Sequence, residues 1–306
     1  MSQRFYLVFA TFIFGIALLA TPAPAADTAV NQSMQKQEVQ RISEPDVRPA
    51  HLQEPASPSE HEAEEAPHTD LIATITPDAK LQKGKPAKLV LHLKDAEGKP
   101  VASDQLELRH TQRIHLLVVD QSLKDYHHLH PKAGKVAGDY EFSFTPATAH
   151  NYRVFADVQK TGGNAEMVPA LLNGAAPCKK KCIPQDIAAD ATEAGITAHI
   201  TFDQPAYKVG TPVHGEVTLQ DKNGAPLKDL EPVMGAYGHI VGFYDDFNTT
   251  AHMHPLGAEP KKADDRGASP LTFMLHPARA GYLKYYVQVR RGDKDVFLPF
   301  GLMVGE

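Results

Sequence analysis

The chain contains two segments that repeat one another, and this repeat limits the folds open to it more than any other feature. The stretch from Lys83 to Pro100 recurs from Val209 to Pro226, at an offset of 126 residues. The stretch that begins at Ile114 recurs from Gly238, at an offset of 124 residues. An internal repeat of this size indicates two copies of one structural unit, so the fold of one copy predicts the fold of the other.

Each copy has the pattern of an all-β domain. Short runs rich in Val, Ile, Tyr and Phe alternate with turns rich in Gly, Pro, Asp and Asn, and helical periodicity is almost absent. About seven such strands fit into a unit of roughly 100 residues, which is the size of an immunoglobulin-like sandwich. We therefore predict two tandem immunoglobulin-like antiparallel β-sandwiches at residues 69–174 and 195–306, joined by a cysteine-containing linker at residues 175–194.

The first 25 residues have the layout of an export signal. A basic start at Arg4 precedes an apolar run from Phe5 to Ala20, and small residues lead up to Ala25. We expect cleavage after Ala25. An uncleaved anchor is the alternative, but the run is shorter than the ~20 residues that span a bilayer. Residues 26–68 predict a disordered, acidic and Pro-rich tether. No later run approaches a spanning length, so we expect a periplasmic or secreted protein with no membrane span once the signal is removed.

Charge and motifs exclude several classes of function. The formal net charge of −6 argues against a nucleic-acid partner, because such partners require a concentrated basic surface. The sequence also lacks the nucleophile elbow, phosphate-binding loop, dinucleotide fingerprint and zinc-protease helix of common enzymes. Copper-zinc superoxide dismutases likewise place His-x-His on a sandwich strand, but their further ligands have no match here. We therefore expect no enzymatic activity.

Both copies carry the histidine spacing H-x(12)-H-x-H-P. If residues 115–120 and 126–131 form the arms of a hairpin, paired positions sum to 245 and His115 faces His130. Because side chains alternate along a strand, His128 shares the face of His130 and lies diagonally across from His115. In the second copy the sum is 493 and the geometry repeats. The pattern predicts one three-histidine cluster in each copy: His115, His128 and His130 in the first, and His239, His252 and His254 in the second.

Three imidazoles in this arrangement have the chemistry of a metal site. Cross-strand Cβ distances of about 4.5 to 5.5 Å allow ring nitrogens to close on an ion at about 2.0 to 2.1 Å. Imidazole suits zinc, copper and nickel, so the predicted cofactor is a Cu or Zn ion. Met253 and the expected location favour copper, because a thioether suits copper(I). The alternative is a structural, hydrogen-bonded cluster, since duplication copies a structural motif as faithfully as a functional one.

Two cysteines lie in the predicted linker. Cys178 and Cys182 are separated by three lysines. In an oxidising compartment we expect them to form a small-loop disulfide. The alternative is a copper(I) thiolate pair, which would require a reducing partner to keep the thiols available.

The histidine pattern resembles that of YtkA-like domains, small extracytoplasmic β-sandwiches found in bacterial proteins near heavy-metal and copper-handling systems. The resemblance covers both copies and rests on the histidine clusters together with Pro131 and Pro255. It implies a role in metal homeostasis and a partner that is a periplasmic or membrane protein of a metal-handling system. It does not explain the tether or the cysteine linker.

The first hypothesis for function is therefore a periplasmic protein that binds a transition metal, with copper favoured, at one three-histidine site per copy. The second is a non-catalytic immunoglobulin-like scaffold or interaction protein, in which the loops of both sandwiches contact a protein partner and the histidines are structural.

Overall fold

The computed structural model describes residues 70–76, 80–178 and 182–306, apart from the side chains of residues 252 and 254. These residues belong to one compact unit, Pro58–Glu306. The predicted signal peptide at residues 1–25 and the predicted tether at residues 26–68 lie outside the described residues.

The first sandwich is built from two four-stranded antiparallel sheets. Its strands are β1 (Leu71–Thr76), β2 (Ala87–Asp95), β3 (Ile114–Asp120), β4 (Tyr126–Leu129), β5 (Lys132–Ala133), β6 (Asp139–Phe144), β7 (Tyr152–Gln159) and β8 (Ala165–Leu172), with a 3-10 helix at Ser103–Gln105. One sheet has the order β1-β2-β6-β5, and the other has the order β4-β3-β7-β8. The break between β4 and β5 at His130 and Pro131 keeps these two sheets separate.

The second sandwich repeats this plan with its two sheets joined. Its strands are β9 (Asp190–Glu193), β10 (Ile196–Phe202), β11 (Tyr207–Lys208), β12 (Val213–Gln220), β13 (His239–Tyr244), β14 (Thr250–Leu256), β15 (Leu271–Leu275), β16 (Gly281–Arg291) and β17 (Lys294–Gly305). They lie in the order β11-β17-β16-β13-β14-β15-β12-β10-β9. Strand β14 pairs with β13 through its first half and with β15 through its second half, which makes a corner of the sandwich. The predicted all-β class and tandem sandwiches are confirmed.

The second sandwich begins inside the predicted linker. Strand β9 pairs with β10 as a hairpin whose two turn residues, Ala194 and Gly195, both have positive φ. Two-residue hairpin turns favour this backbone conformation, and Asn-Gly or Asp-Gly is their usual sequence signal. Ala194 replaces the Asn or Asp of that signal, which explains why the sequence does not predict β9.

The predicted disulfide is confirmed. Cys178 and Cys182 are bonded, with their Cα atoms 6.0 Å apart. Gln121 anchors this part of the linker to the first sandwich, because its amide donates to the carbonyl of Cys178 (3.3 Å) and accepts from the backbone N–H of Cys178 (3.1 Å). A disulfide is typical of proteins in oxidising, extracytoplasmic compartments.

Strand β3 is buried on both faces. Ile114, Leu116 and Val118 contribute to the core between the two sheets of the first sandwich. Leu117 and Val119, which alternate with them, belong to a separate apolar cluster on the outer face. This explains why the strand is a nearly continuous apolar run, because both of its faces are removed from water.

The outer cluster joins the two sandwiches. Leu117, Val119 and Phe155 of the first sandwich pack against residues of the second at this interface. Their counterparts from the second sandwich are Val241, Phe243 and Tyr286. The ring of Tyr126 stacks on that of Tyr286 with centroids 4.8 Å apart, and the Tyr286 hydroxyl donates to the carbonyl of Leu123 (2.8 Å). The sandwiches therefore meet through an aromatic contact in which the Tyr286 hydroxyl is hydrogen-bonded.

The loop between β3 and β4 is organised by one buried carboxylate. Asp120 is fully buried, and one of its oxygens accepts the backbone N–H groups of Lys124 (2.8 Å) and Asp125 (2.9 Å). The other oxygen accepts from the Ser122 hydroxyl and from His150 Nδ1 (2.8 Å). Thr148 Oγ1 donates to the same oxygen (3.1 Å). These bonds fix where the chain reverses, and with it the register of the hairpin.

Replacing Asp120 by Ala should lower the free energy of unfolding by about 2 to 4 kcal/mol, because several buried donors lose their charged acceptor at once. Chemical denaturation followed by circular dichroism measures this, since the chain has no Trp. Asp95→Ala is the matched control, because Asp95 accepts one exposed bond from the Lys99 N–H in a similar turn. We expect that control to lose about 1 kcal/mol or less. Equal losses in the two variants would contradict the role given to Asp120.

Candidate metal centre

The hairpin of β3 and β4 has the predicted register. Leu116 pairs with Leu129, and Val119 pairs with Tyr126. The same holds in the second sandwich, where Ile240 pairs with Met253. Both predicted sums, 245 and 493, are therefore confirmed. Because the side chains of paired residues share one face, the register brings His115, His128 and His130 to the outer face of their sheet.

Three imidazoles of the first sandwich converge at that face. His115 Nδ1 lies 3.0 Å from His130 Nε2 and 3.3 Å from His128 Nε2. One ring nitrogen of each histidine lies within 4.8 Å of the other two. The side chain of His115 is buried (2% exposed), that of His128 is half-buried, and that of His130 is exposed. The cluster therefore has a buried base and one side open to solvent.

Hydrogen bonds fix which nitrogens of two of these rings carry the proton. The carbonyl of Arg109 can only accept, so His115 Nε2, 3.1 Å away, carries the hydrogen and Nδ1 keeps its lone pair. The amide oxygen of Gln288 can only accept, so His128 Nδ1, 2.8 Å away, carries the hydrogen and Nε2 keeps its lone pair. Two lone pairs thus face one another inside the cluster, as in sites where outer partners orient metal-binding histidines.

The spacing of the three nitrogens matches the coordination of a small ion. A tetrahedral angle and metal–nitrogen bonds of about 2.0 to 2.1 Å place two ligand nitrogens about 3.3 Å apart. The two measured separations are 3.0 and 3.3 Å. Two of the three separations are therefore close to the tetrahedral value, and the third is at most 4.8 Å.

The environment keeps the imidazoles neutral, which is the form that binds metals. Burial, reinforced by the neighbouring His115, lowers the pKa of His128 to about 4. Partial burial and His115 also lower the pKa of His130 to about 4. Burial lowers the pKa of His115, against the hydrogen bond to Arg109. Protons therefore compete with a metal ion for this site less than they do at an exposed histidine.

The second predicted cluster is described only in part. His239 is buried at the start of β13, and its ring lies 5.3 Å, centroid to centroid, from that of His128. His252 is the register partner of Val241, and His254 is the partner of Met274. The side chains of His252 and His254 lie outside what the structure describes. The structure thus brings His239 to the first cluster across the interface, and the second triad stays a prediction.

Sequence reasoning missed the residues that support the cluster from behind. Asp157 is the register partner of His115 and pairs with Arg109 (2.8 Å), the residue whose carbonyl holds His115. Gln288 comes from the second sandwich. The available signal was a charged or amide residue, Asp157 or Gln288, within an otherwise apolar strand. The sequence does not indicate what such a side chain contacts, because that contact is set by the tertiary fold. His127 alternates with His128 along β4, so it lies on the opposite face, where it contacts Phe144 and Asp125.

One protein family matches most of the chain. The model described as "Domain of unknown function (DUF8832)" matches residues 68–174 and 191–306. No curated protein matches the sequence. The YtkA-like resemblance stays a prediction, because the description of the matched family names neither that family nor metal handling.

Several solved structures show limited similarity. The Yersinia pseudotuberculosis adhesin InvE is 14% identical at a TM-score of 0.22, with 76% of this chain and 58% of that chain covered. Red sea bream transglutaminase is 13% identical at a TM-score of 0.23, with 78% of this chain and 32% of that chain covered. Domains 4 and 5 of the S-layer protein SbsC are 16% identical at a TM-score of 0.22, with 78% of this chain and 98% of that chain covered. The chain spans less than two thirds of the first two proteins, and similarities this low support no functional argument.

Within the part of the chain that the structure describes, no helix has the length and apolar character that crossing a membrane requires.

The free energy of unfolding of the metal-free protein should depend on His128 between about pH 4 and 6.5. The folded-state pKa of about 4 lies below the ordinary value of 6.5, so in this range the unfolded chain binds a proton that the folded chain excludes. The contribution of the neutral ring is complete above about 6.5 and is lost as the pH falls, with a slope of about 1.4 kcal/mol per pH unit.

Denaturation curves of the wild type and of His128→Asn, measured every half pH unit, isolate this slope. The difference between the two free energies should shrink as the pH falls from neutral. A difference between the two free energies of unfolding that stays constant with pH would show that burial does not hold the His128 ring neutral.

Proposed function

Because the chain belongs, in two copies, to the family described as "Domain of unknown function (DUF8832)", whose description assigns no activity, we propose a function from the histidine site alone. The protein binds a transition-metal ion, with copper favoured over zinc, and serves metal homeostasis outside the cytoplasm. The first site has His115, His128 and His130 as its ligands. The second has His239, His252 and His254. No catalytic role is proposed for either site.

The observation that carries the proposal is that two ring nitrogens of the first cluster face one another with their lone pairs. His115 Nδ1 and His128 Nε2 are both acceptors, yet they lie 3.3 Å apart. Two acceptors at this distance repel unless a cation or a proton lies between them. Protonation is opposed by burial, which holds the pKa of His128 at about 4. A hydrogen on His130 Nε2, 3.0 Å from His115 Nδ1, can satisfy one of these two acceptors at most. A metal ion bound by both nitrogens relieves the whole repulsion at neutral pH, and this supports a binding site over a structural cluster.

The openness of the site supports exchange of the ion. His130 is exposed while His115 is buried, so an ion held by the cluster has solvent on one side. A closed four-ligand site is typical of structural zinc, whereas an open position admits a further ligand. We propose that this ligand comes from a periplasmic or membrane protein of a metal-handling system. The disulfide and the predicted signal peptide support a periplasmic or secreted location.

Metal stoichiometry tests the proposal. Purified residues 26–306, stripped of metal, should bind close to two equivalents of Cu(II) or Zn(II) at pH 7 in equilibrium dialysis with elemental analysis. His128→Ala with His130→Ala should remove one equivalent, because two of three ligands are lost. His252→Ala with His254→Ala should remove the other.

The matched control is His199→Ala with His214→Ala. Both of these histidines are exposed and each has an Asp partner, so the control removes the same number of imidazoles away from the site. It should leave the stoichiometry unchanged. Full stoichiometry in the variant that lacks His128, His130, His252 and His254 would assign chelation to the acidic tether. Binding of neither ion by the wild type would favour the scaffold function.

Binding should also stabilise the fold. A free metal concentration of 100 times Kd raises the free energy of unfolding by about 2.7 kcal/mol per site, because the unfolded chain lacks the assembled ligands. Thermal unfolding with and without Zn(II), the redox-inert ion, measures this. The His128→Ala, His130→Ala variant should lose the part of the shift due to the first site. An unchanged shift in that variant would place the bound ion elsewhere.

A further inference from the structure

Gln288 is a buried polar residue of the second sandwich that serves the first. It lies on β16, is 4% exposed, and pairs in register with His239. Its amide oxygen nevertheless accepts from His128 Nδ1 of the other sandwich, at 2.8 Å. Burying an amide oxygen costs free energy unless it is hydrogen-bonded, so docking of the sandwiches satisfies the oxygen of Gln288 and orients His128 at the same time.

The corresponding position of the first sandwich behaves differently. Asp157 pairs in register with His115 just as Gln288 pairs with His239. Asp157 stays within its own sandwich, where its carboxylate binds the Arg109 side chain at 2.8 Å. The backbone carbonyl of Arg109 in turn accepts from His115 Nε2. Two equivalent positions of the repeat therefore support two different ligands of one cluster, one from within the sandwich and one from across the interface.

We infer that the metal site of the first sandwich is completed by the second, with Gln288 as the positioning residue that holds His128 in the tautomer whose Nε2 binds the ion. This inference rests on the proposed function, since it concerns the same site. An amide oxygen accepts the Nδ1 hydrogen without adding charge to the buried interface, where an unpaired carboxylate would be costly. The site is assembled only while the two sandwiches are docked.

Docking and metal binding then strengthen each other. An ion that prefers the oriented His128 also prefers the docked arrangement, and by linkage the factor is the same in both directions. The ring of His239 packs on His128 at 5.3 Å, and the hydroxyl of Tyr286 bonds to Leu123 at the same interface. The ion thus acts as a bridge between the two copies although its three ligands come from one of them.

The test uses residues 26–306 in four forms: wild type, Gln288→Met, Gln288→Glu and Gln204→Met. Met keeps the length of Gln and removes the acceptor, and Glu keeps an acceptor. Gln204 is the matched control, because it is a half-buried glutamine of the second sandwich whose amide donates to the Pro212 carbonyl at 3.1 Å. Long-range 1H–15N spectra of the metal-free protein report the tautomer of each histidine, and Cu(II) competition titrations report affinity.

We expect His128 to carry its proton on Nδ1 in the wild type, in Gln288→Glu and in the control. Gln288→Met should populate the other tautomer and bind Cu(II) about 10- to 100-fold more weakly at the first site. Gln288→Glu should bind at least as tightly as the wild type, because a carboxylate partner raises ligand basicity. Should Gln288→Met fail to fold, the Glu variant decides, and weaker binding there would overturn the inference.

An unchanged tautomer or an unchanged affinity in folded Gln288→Met would overturn the inference and leave the proposed function intact. If the His128→Ala, His130→Ala variant keeps its metal, the proposed function fails instead. The tautomer spectra need no metal, so the two failures are distinguishable.

Discussion

Antiparallel pairing of β3 with β4 is the constraint on which the candidate site depends. A shift of one residue along either strand would send His128 and His130 to the core face, away from His115 on the outer face. The pairing of Leu116 with Leu129 prevents this, and the buried Asp120 holds the turn that sets it. A carboxylate remote from the ring nitrogens thus determines whether the ligands can meet.

The same strand explains why the site lies between the sandwiches. Strand β3 contributes Leu116 and Val118 to the core of its own sandwich and Leu117 and Val119 to the interface. His115 is on the face of that second pair, so it is buried when the second sandwich covers the sheet. Burial lowers the pKa of His128 and makes its orientation depend on Gln288. Apolar docking therefore supplies the low-dielectric surroundings that lower the pKa values of the three imidazoles and favour their neutral form.

The sequence predicts the local part of this arrangement well and the tertiary part poorly. Repeat spacing and strand alternation are sufficient for the register of both hairpins, because pairing within a hairpin depends on positions close in sequence. Gln288 lies 160 residues from His128, and no periodicity links the two. Strand β9 was missed because Ala194 adopts a positive φ that the sequence does not signal. The continuous apolar run of β3 indicates that both faces of this strand are covered. It does not indicate which surface of the protein covers the outer face.

Duplication explains how one surface came to supply both halves of the interface. Leu117, Val119 and the register partner of Leu117, Phe155, occupy the same positions in the first sandwich as Val241, Phe243 and Tyr286 do in the second. A patch that packs against its own copy is the arrangement of a symmetric dimer, here within one chain. Once the copies are covalently joined, each position can change without affecting its equivalent. Asp157 and Gln288 are equivalent positions that differ in this way. Asp157 supports His115 from within its own sandwich, and Gln288 supports His128 from across the interface.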